Sequence, residues 1–206
     1  MTENNDTTTL IEKLAATGPQ KPARWPWLLF VPAFALAWWV NQAIYGLRPD
    51  LAEAWRQFSF LFRLAAGVGL TIAGSLLLRR CWQPGATAPR SFNHLIPALL
   101  GLSLLGGIHG VTTNSLFSEG WMCMLALVSL ALPFAFVLAL VSRNQAPTNL
   151  PFAATAIALA ASGPALLIFT LHCAYTGMGF ILFWYGQALA GVLALARTVL
   201  VPALRW

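Results

Sequence analysis

The sequence predicts an all-α integral membrane protein, a bundle of six transmembrane helices with a short cytoplasmic N-terminal tail. Three observations favour this fold class. The 206-residue chain is 58% hydrophobic and only 9% charged, whereas soluble domains carry about 25% charged residues. Six apolar stretches of about 20 residues are long enough to cross ~30 Å of hydrocarbon as α-helices. These stretches also lack the charged outer faces, repeating every 3.6 residues, that a soluble helical bundle would need.

The chain divides into two predicted regions, a polar tail over residues 1–24 and a membrane domain over residues 25–206. The tail contains Glu3, Asp6 and Glu12, whereas a secretory signal peptide opens with a short basic region. We therefore expect the tail to be retained and cytoplasmic.

A short amphipathic helix is predicted inside the tail. Thr9 followed by Glu12 is typical of a capping box, and Leu10, Ile11 and Leu14 then share one side of the helix. A helix of this length is not stable alone in water. Two interpretations stay open: a frayed tail, or a segment that folds against a groove of a partner protein.

The six predicted spans follow the tail in order. They cover residues 25–45, 58–78, 94–112, 121–141, 150–171 and 180–201. Small residues recur at four-residue steps in the second and sixth spans, which predicts close helix packing there. These small residues are Ala65, Gly69 and Ala73, then Gly186, Ala190 and Ala194.

The distribution of Lys and Arg predicts the orientation, because cytoplasmic loops carry an excess of these residues. An even number of spans puts both termini on one side. If that side is the cytoplasm, nine basic residues lie inside: Lys13, Lys21, Arg24, Arg79, Arg80, Arg90, Arg143, Arg197 and Arg205. Three lie outside: Arg48, Arg56 and Arg63. The net charge of +6 is therefore a signal of N-in, C-in topology. Since only Arg79 and Arg80 form a compact basic group, direct binding to nucleic acid is not expected.

Two of the three cysteines are predicted to lie at the outer face. Cys123 is near the outer start of the fourth span and Cys173 is at the outer end of the fifth. A short inner turn joins these spans, so they should run antiparallel and bring both sulfurs to similar depths. The residues alone leave two hypotheses open: ordinary small buried side chains, or a redox pair. Cys81 lies on the cytoplasmic side, where thiols stay reduced, and its role is undetermined.

Each of the two cysteine-bearing spans also contains a proline, Pro133 in the fourth and Pro164 in the fifth. Proline removes a backbone donor and permits a kink. A bond formed at the outer end could therefore change how the two helices pack and move their inner ends.

Two histidines are weak candidates for a metal site. His109 lies near the outer end of the third span and His172 adjoins Cys173, so with Cys123 they would offer soft nitrogen and sulfur ligands. Neighbouring residues point apart on a helix, which favours ordinary interfacial histidines. No metal or other cofactor is predicted.

Enzyme classes are disfavoured by what the sequence lacks. Ser, His and acidic residues are not grouped as a catalytic triad, and the CxxC pair of a thiol oxidase is absent. No acidic residue lies within a predicted span, although ion-coupled carriers usually have one. A small secondary transporter or a membrane redox accessory protein remains the alternative function.

Five local patterns, in order and at comparable intervals over nearly the whole chain, resemble the NrsF-type family of polytopic anti-sigma factors of bacterial inner membranes. They are Leu47-Arg48-Pro49-Asp50-Leu51, Gly120-Trp121-Met122-Cys123, Leu171-His172-Cys173, Phe183-Trp184-Tyr185-Gly186 and Leu204-Arg205-Trp206. Each pattern is weakly specific, and their order carries the resemblance.

The resemblance implies a protein that holds an extracytoplasmic-function sigma factor at the inner membrane and releases it under oxidative or metal stress. The paired cysteines of the family match Cys123 and Cys173, which it links to sensing. Family members can carry a Trp-His-Cys run at the first cysteine. Met122 replaces that histidine here, which favours a thiol switch over a metal site. We expect the sigma factor to contact Leu10, Ile11 and Leu14 of the tail, with a second contact at the loop over residues 79–90, which includes Arg79 and Arg80.

Overall fold

The structure is a computed structural model that describes residues 26–83, 87–88, 92, 94–112, 120–145 and 147–204. Within these residues the chain forms seven helices and no strand. They are α1 (Pro26–Tyr45), α2 (Leu51–Ala54), α3 (Phe58–Cys81), α4 (Leu95–Thr112), α5 (Gly120–Arg143), α6 (Leu150–Thr170) and α7 (Met178–Ala203). The predicted tail helix with Leu10, Ile11 and Leu14 lies outside the described residues.

Five of the described helices, α3 to α7, are long and apolar enough to cross a membrane. Many large apolar side chains on the bundle are exposed, among them Phe58, Leu105 and Val111. So much exposed apolar surface is unfavourable in water and suits hydrocarbon. The predicted all-helical membrane fold is confirmed at this level. Helix α1 is 20 residues long but is not among the five, so the sixth span stays a prediction.

Helix α6 occupies the centre of the bundle, and nearly all its side chains are buried. Helices α3, α5 and α7 pack against it most extensively. Its sequence is rich in alanine, and small side chains allow neighbouring helices to approach closely. The side chain of Asn149 caps its start by accepting a hydrogen bond from the Phe152 N–H at 3.0 Å. The predicted contact between the two cysteine-bearing helices is present, as α5 against α6.

The closest helix contact joins α3 to α6 through glycines. A Cβ added at Gly74 would collide with the backbone of Ala160, and one added at Gly163 would collide with Thr71. Gly67 faces Leu167 and Gly163 at the same seam. Backbone contact of this kind maximises van der Waals packing in a membrane, where water does not drive helices together.

The small-residue face predicted for the second span is therefore wrong. Ala65 and Ala73 are exposed, and nothing lies within 4 Å of a Cβ built at Gly69. Gly67 and Gly69 are two residues apart and so point about 200° apart around the helix. Four-residue spacing in the sequence thus selects a stripe of small residues on α3, but a different stripe of the same helix faces α6.

Helices α4 and α7 also meet through small residues. A Cβ on Gly179 would collide with Gly110, and one on Gly186 would lie 2.9 Å from the Ser103 side chain. In the predicted stripe of the sixth span, Gly186 and Ala190 thus lie inside the bundle, whereas Ala194 is exposed.

Helix α7 contains two π-helical segments, Ile181–Tyr185 and Ala196–Leu200. Such wider turns are rare and frequent at functional sites. The first ends at Tyr185, a buried residue whose hydroxyl contacts Arg63 of α3.

The long helices alternate in direction, which gives the bundle two distinct ends. One end, here called the thiol end, holds Cys123 and Cys173 together with the chain after α1, where the rings of Tyr45 and His172 lie 4.8 Å apart. The opposite end, here called the basic end, holds Arg79, Arg80, Arg143 and Arg197. Which end faces the cytoplasm stays a prediction from charge.

Candidate functional site

The loop between α6 and α7 is the centre of the candidate site. After α6 the chain turns at once, because the N–H groups of His172 and Cys173 both donate to the Phe169 carbonyl at 3.0 Å. This turn buries Cys173, which is 3% exposed. The carbonyl oxygen of Cys173 points to two arginines from distant parts of the chain. The hydrogen bonds of these arginines hold the loop in place.

The two cysteines predicted to lie at one face are in contact. Cys123 lies in the first turn of α5 and is half-buried, and its thiol donates a hydrogen bond to the sulfur of Cys173. Both are free thiols. The structure therefore brings together the two residues whose orientation the sequence left open.

Arg63 of α3 is the more deeply buried of the two arginines, with 1% of its surface exposed. Its Nη1 donates to the Cys173 carbonyl at 3.0 Å and to the Tyr185 hydroxyl at 3.2 Å. Its Nε donates to the Ser59 carbonyl at 3.2 Å. One side chain thus fixes α3, the cysteine loop and the π-helical turn of α7 relative to one another.

Arg48 approaches the same carbonyl from the loop after α1. Gly46, with φ of +72°, adopts the left-handed conformation that ends α1 and turns the chain towards Arg48. The Arg48 backbone N–H donates to the Leu171 carbonyl at 3.2 Å, and its Nη1 lies 3.4 Å from the Cys173 carbonyl.

A carboxylate neutralises Arg48. Its Nε donates to Asp50 Oδ1 at 2.7 Å, and its Nη2 contacts Asp50 Oδ2. This hydrogen bonding raises the pKa of Arg48 and lowers the pKa of Asp50, because it stabilises both charged forms. The pair is ionised at physiological pH and joins Arg48 to the residue that precedes α2.

The surroundings of Cys173 stabilise its thiolate. The hydrogen bond from Cys123 lowers the pKa of Cys173 most, and burial opposes that shift. Hydrogen bonds from the Tyr185 hydroxyl and the Tyr175 N–H, and the positive charge of Arg63, lower this pKa further. A thiolate is the nucleophilic form of cysteine. The two thiols are therefore unequal, because the pKa of Cys173 is lowered and Cys123 is its hydrogen-bond donor.

The two candidate histidines have different surroundings. The Nδ1 of His172 lies 3.2 Å from the Gly46 carbonyl, and its ring packs on Tyr45 and Phe169. His109 is exposed on α4. Among the described residues, no group of three or more His, Cys, Asp or Glu side chains could hold a metal ion.

The residues predicted to contact a partner lie away from the thiols. Arg79 and Arg80 are exposed in the last turn of α3, at the basic end, and Cys81 is buried beside them. Helix α3 has 24 residues and rises about 1.5 Å per residue, so ~35 Å separate its ends. Any coupling between the thiols and these arginines has to cross the full length of the bundle.

The sequence does not identify Arg48 and Arg63 as site residues: Arg63 enters only as an outer basic charge, and Arg48 as an outer charge and as part of one family pattern. A signal for Arg63 was present. It lies within the apolar stretch that forms α3, and an ionisable residue inside a membrane segment is expected to be functional. Arg48 gave a weaker signal, since it lies in a loop next to acidic residues.

Comparison with known proteins agrees with the sequence patterns. A family described as "Negative regulator of sigma F" (NrsF) matches residues 10–206. The "Probable anti-sigma-F factor NrsF" of Azospira oryzae is 33% identical over 162 residues, which covers 69% of this chain and 70% of that protein. No solved structure matches the chain. These descriptions are of regulators and not of enzymes.

Proposed function

The chain belongs to the NrsF family of negative regulators of sigma F, and from this premise we propose that it is an inner-membrane anti-sigma factor controlled by thiol oxidation. In this proposal it binds an extracytoplasmic-function sigma factor on the cytoplasmic side and keeps it from RNA polymerase. Oxidation of Cys123 and Cys173 releases the sigma factor.

The proposed orientation places both termini and the basic end in the cytoplasm. Support comes from the excess of Lys and Arg on the segments assigned to that side. Helix α1 acts as the sixth span in this arrangement, which puts the tail of residues 1–24 and the exposed Arg79 and Arg80 on the same side as the sigma factor. The thiol end then faces the oxidising periplasm.

The hydrogen-bonded contact between Cys123 and Cys173 is the observation that carries the proposed sensor. The Cys173 thiolate attacks a peroxide, which breaks the O–O bond, oxidises Cys173 to a sulfenic acid and releases hydroxide. The Cys123 thiol then displaces the sulfenic hydroxyl as water, and a disulfide forms. Two electrons pass from the two sulfurs to the peroxide. Soft metal ions that bind thiolates would act on the same two sulfurs.

The proposed signal passes from the disulfide to the inner ends of α5 and α6. A disulfide needs its two sulfurs at about 2.05 Å, closer than a hydrogen-bonded thiol pair, so the start of α5 and the cysteine loop must shift. Pro133 and Pro164 lie inside these helices and permit bending there. At the basic end, which is the inner end in this proposal, α5 contacts the chain at the end of α3. The contact is a hydrogen bond of 3.3 Å from Trp82 Nε1 to Ser142 Oγ.

The proposed sigma-factor contact combines the tail with the basic end. Leu10, Ile11 and Leu14 supply an apolar stripe that would fold into a groove of the sigma factor, and Arg79 and Arg80 supply charge beside it. In full-length protein, replacing the three apolar residues with Asp should abolish capture of the cognate sigma factor. Capture at the unchanged level would move the contact to the cytoplasmic loops.

A sigma-dependent reporter tests the sensor in cells. Cys123→Ser and Cys173→Ser should each abolish induction by peroxide, since neither variant can form the disulfide. Cys81→Ser is the matched control, because it removes a buried thiol from the basic end and should leave induction intact. An unchanged peroxide response in the Cys123 and Cys173 variants would refute the sensor, whereas it would leave sigma-factor binding standing.

A further inference from the structure

The first π-helical turn of α7 contacts both cysteine-bearing segments through two neighbouring side chains. The Tyr185 hydroxyl donates to the sulfur of Cys173. The indole ring of Trp184 instead packs on Gly120, the first residue of α5, where an added Cβ would collide with three atoms of the ring. Gly120 precedes Cys123 by three residues, so the two are neighbours on one face of the helix. Trp184 thus supports the turn of α5 that carries Cys123.

Packing from α4 keeps the indole ring from moving away from α5. The rings of Phe183 and Trp184 meet edge to face, with their centroids 4.9 Å apart. Phe183 rests in turn on α4, because a Cβ added at Gly107 would lie 2.9 Å from its ring and one added at Gly106 would lie 2.9 Å from its backbone nitrogen. The indole Nε1 is buried and has no hydrogen-bond partner among the described residues. Within the described chain, Trp184 therefore acts on α5 through the shape of its ring.

We propose that Trp184 is a positioning residue for disulfide formation, because it sets the first turn of α5 so that the Cys123 sulfur reaches the Cys173 sulfur. This role rests on the proposed thiol oxidation and concerns its second step. In that step the Cys123 sulfur attacks the sulfenic sulfur of Cys173, the S–O bond breaks, and the hydroxyl leaves as water with the thiol proton. Disulfide geometry is narrow, and a displacement of about 1 Å slows a reaction between positioned groups by about a hundredfold.

Competition between Cys123 and hydrogen peroxide for the sulfenic acid tests this role in the purified full-length protein. A second peroxide molecule oxidises the sulfenic acid of Cys173 to a sulfinic acid and is reduced to water. Mass spectrometry gives the ratio of sulfinic acid to disulfide at a fixed peroxide concentration. Both products come from the same sulfenic acid, so the ratio reports the second step and is independent of how fast Cys173 first reacts.

Gly120→Ala should raise this ratio at least about tenfold, because the methyl group and the indole ring cannot occupy the same space. Gly191→Ala is the matched control, since nothing lies within 4 Å of a Cβ built at Gly191, and its ratio should stay within about twofold of the unchanged protein. Circular dichroism checks that both variants fold.

Trp184→Phe supplies a complementary variant, which also serves if Gly120→Ala does not fold. The smaller ring withdraws support from the first turn of α5, so the ratio should rise about threefold or more. Combined with Gly120→Ala, the smaller ring leaves room for the methyl group. The double variant should therefore have a lower ratio than Gly120→Ala alone.

The outcomes separate this role from the proposed function. An unchanged ratio in Trp184→Phe or in folded Gly120→Ala would overturn the positioning role. A double variant whose ratio is the product of the two single effects would also overturn it, because the two sites would then act independently. Absence of both products in the unchanged protein would overturn the proposed thiol oxidation, and this role with it. Disulfide formation without release of the sigma factor would overturn the proposed function alone.

Discussion

The thiol end of the bundle buries two arginines, Arg48 and Arg63, whereas three arginines at the basic end are exposed. Arg48 and Arg63 are 3% and 1% exposed and donate into the cysteine loop. Arg79, Arg80 and Arg143 are exposed at the ends of their helices. A buried arginine organises the structure around it, because its hydrogen bonds are costly to lose. An exposed arginine contributes little to stability and is free to interact with headgroups or a partner.

This difference separates two tasks along one bundle. At the thiol end, helices α3, α5 and α7 and the chain after α1 all contact the loop that contains Cys173. The basic end carries surface charge beside the proposed sigma-factor contact. Arginine thus holds the structure together at one end and, in the proposed function, contacts the sigma factor at the other.

We expect the greatest loss of stability when a large side chain replaces a glycine at the contact between α4 and α7, at the thiol end. Gly179 touches the backbone of Gly110, whereas Gly191, further along α7, has nothing within 4 Å of a built Cβ. Gly179→Leu should lower the free energy of unfolding by more than about 3 kcal/mol, because two backbones would have to separate. Gly191→Leu should change it by less than about 0.5 kcal/mol. Unfolding by SDS titration from mixed micelles measures both, and equal losses would contradict the asymmetric packing.

The second prediction compares the loss of unfolding free energy when a buried arginine and an exposed arginine near the same loop are replaced. Arg48→Met removes the donors to Asp50 and to the Cys173 carbonyl, and should cost about 2 kcal/mol of unfolding free energy. Arg56 is exposed, so Arg56→Met should cost less than about 0.5 kcal/mol. The same titration measures both variants. A negligible loss at Arg48 would show that the cysteine loop does not depend on it.

The smallest of the expected changes is in the pH dependence of the reactivity of the Cys173 thiol. The lowered pKa of Cys173 predicts that its sulfur reacts as a thiolate at pH values below the ordinary 9.0. Tyr185→Phe removes one hydrogen bond to this sulfur, so its pKa should rise and the midpoint of its reactivity should move to higher pH. Methyl methanethiosulfonate modification, quantified at each cysteine by mass spectrometry in a Cys81→Ser background, gives the profile. A midpoint at or above 9.0 in the unchanged site would contradict the stabilised thiolate.

The lowered pKa of Cys173 also predicts how the stability of the fold changes with pH. Because the pKa of Cys173 is lower in the folded chain than in the unfolded one, its contribution to folding stability rises with pH between the folded-state pKa and 9.0. That contribution declines as pH falls through the lower folded-state pKa. Cys173→Ser should lack this dependence, and unfolding titrations at several pH values would reveal it.

How much of this the sequence could predict depends on the range of the interaction. The helices and the common depth of Cys123 and Cys173 follow from hydrophobic length and connectivity. The glycine seam does not, because four-residue spacing occurs on several faces and only packing selects Gly67 and Gly74 over Gly69. The bonding of Arg63 was also hidden, since its partners Cys173 and Tyr185 lie 110 and 122 residues away. The central place of α6 likewise arises only when all helices are assembled.

The proposed disulfide between Cys123 and Cys173 can be measured by peptide mapping in inside-out membrane vesicles, together with release of bound sigma factor. After mild peroxide treatment, non-reducing mass spectrometry should recover a peptide pair that joins Cys123 to Cys173, with Cys81 still a thiol. The sigma factor should leave the vesicles in proportion to that pair. Release of the sigma factor without this linkage, or complete linkage with the sigma factor still bound, would contradict the account.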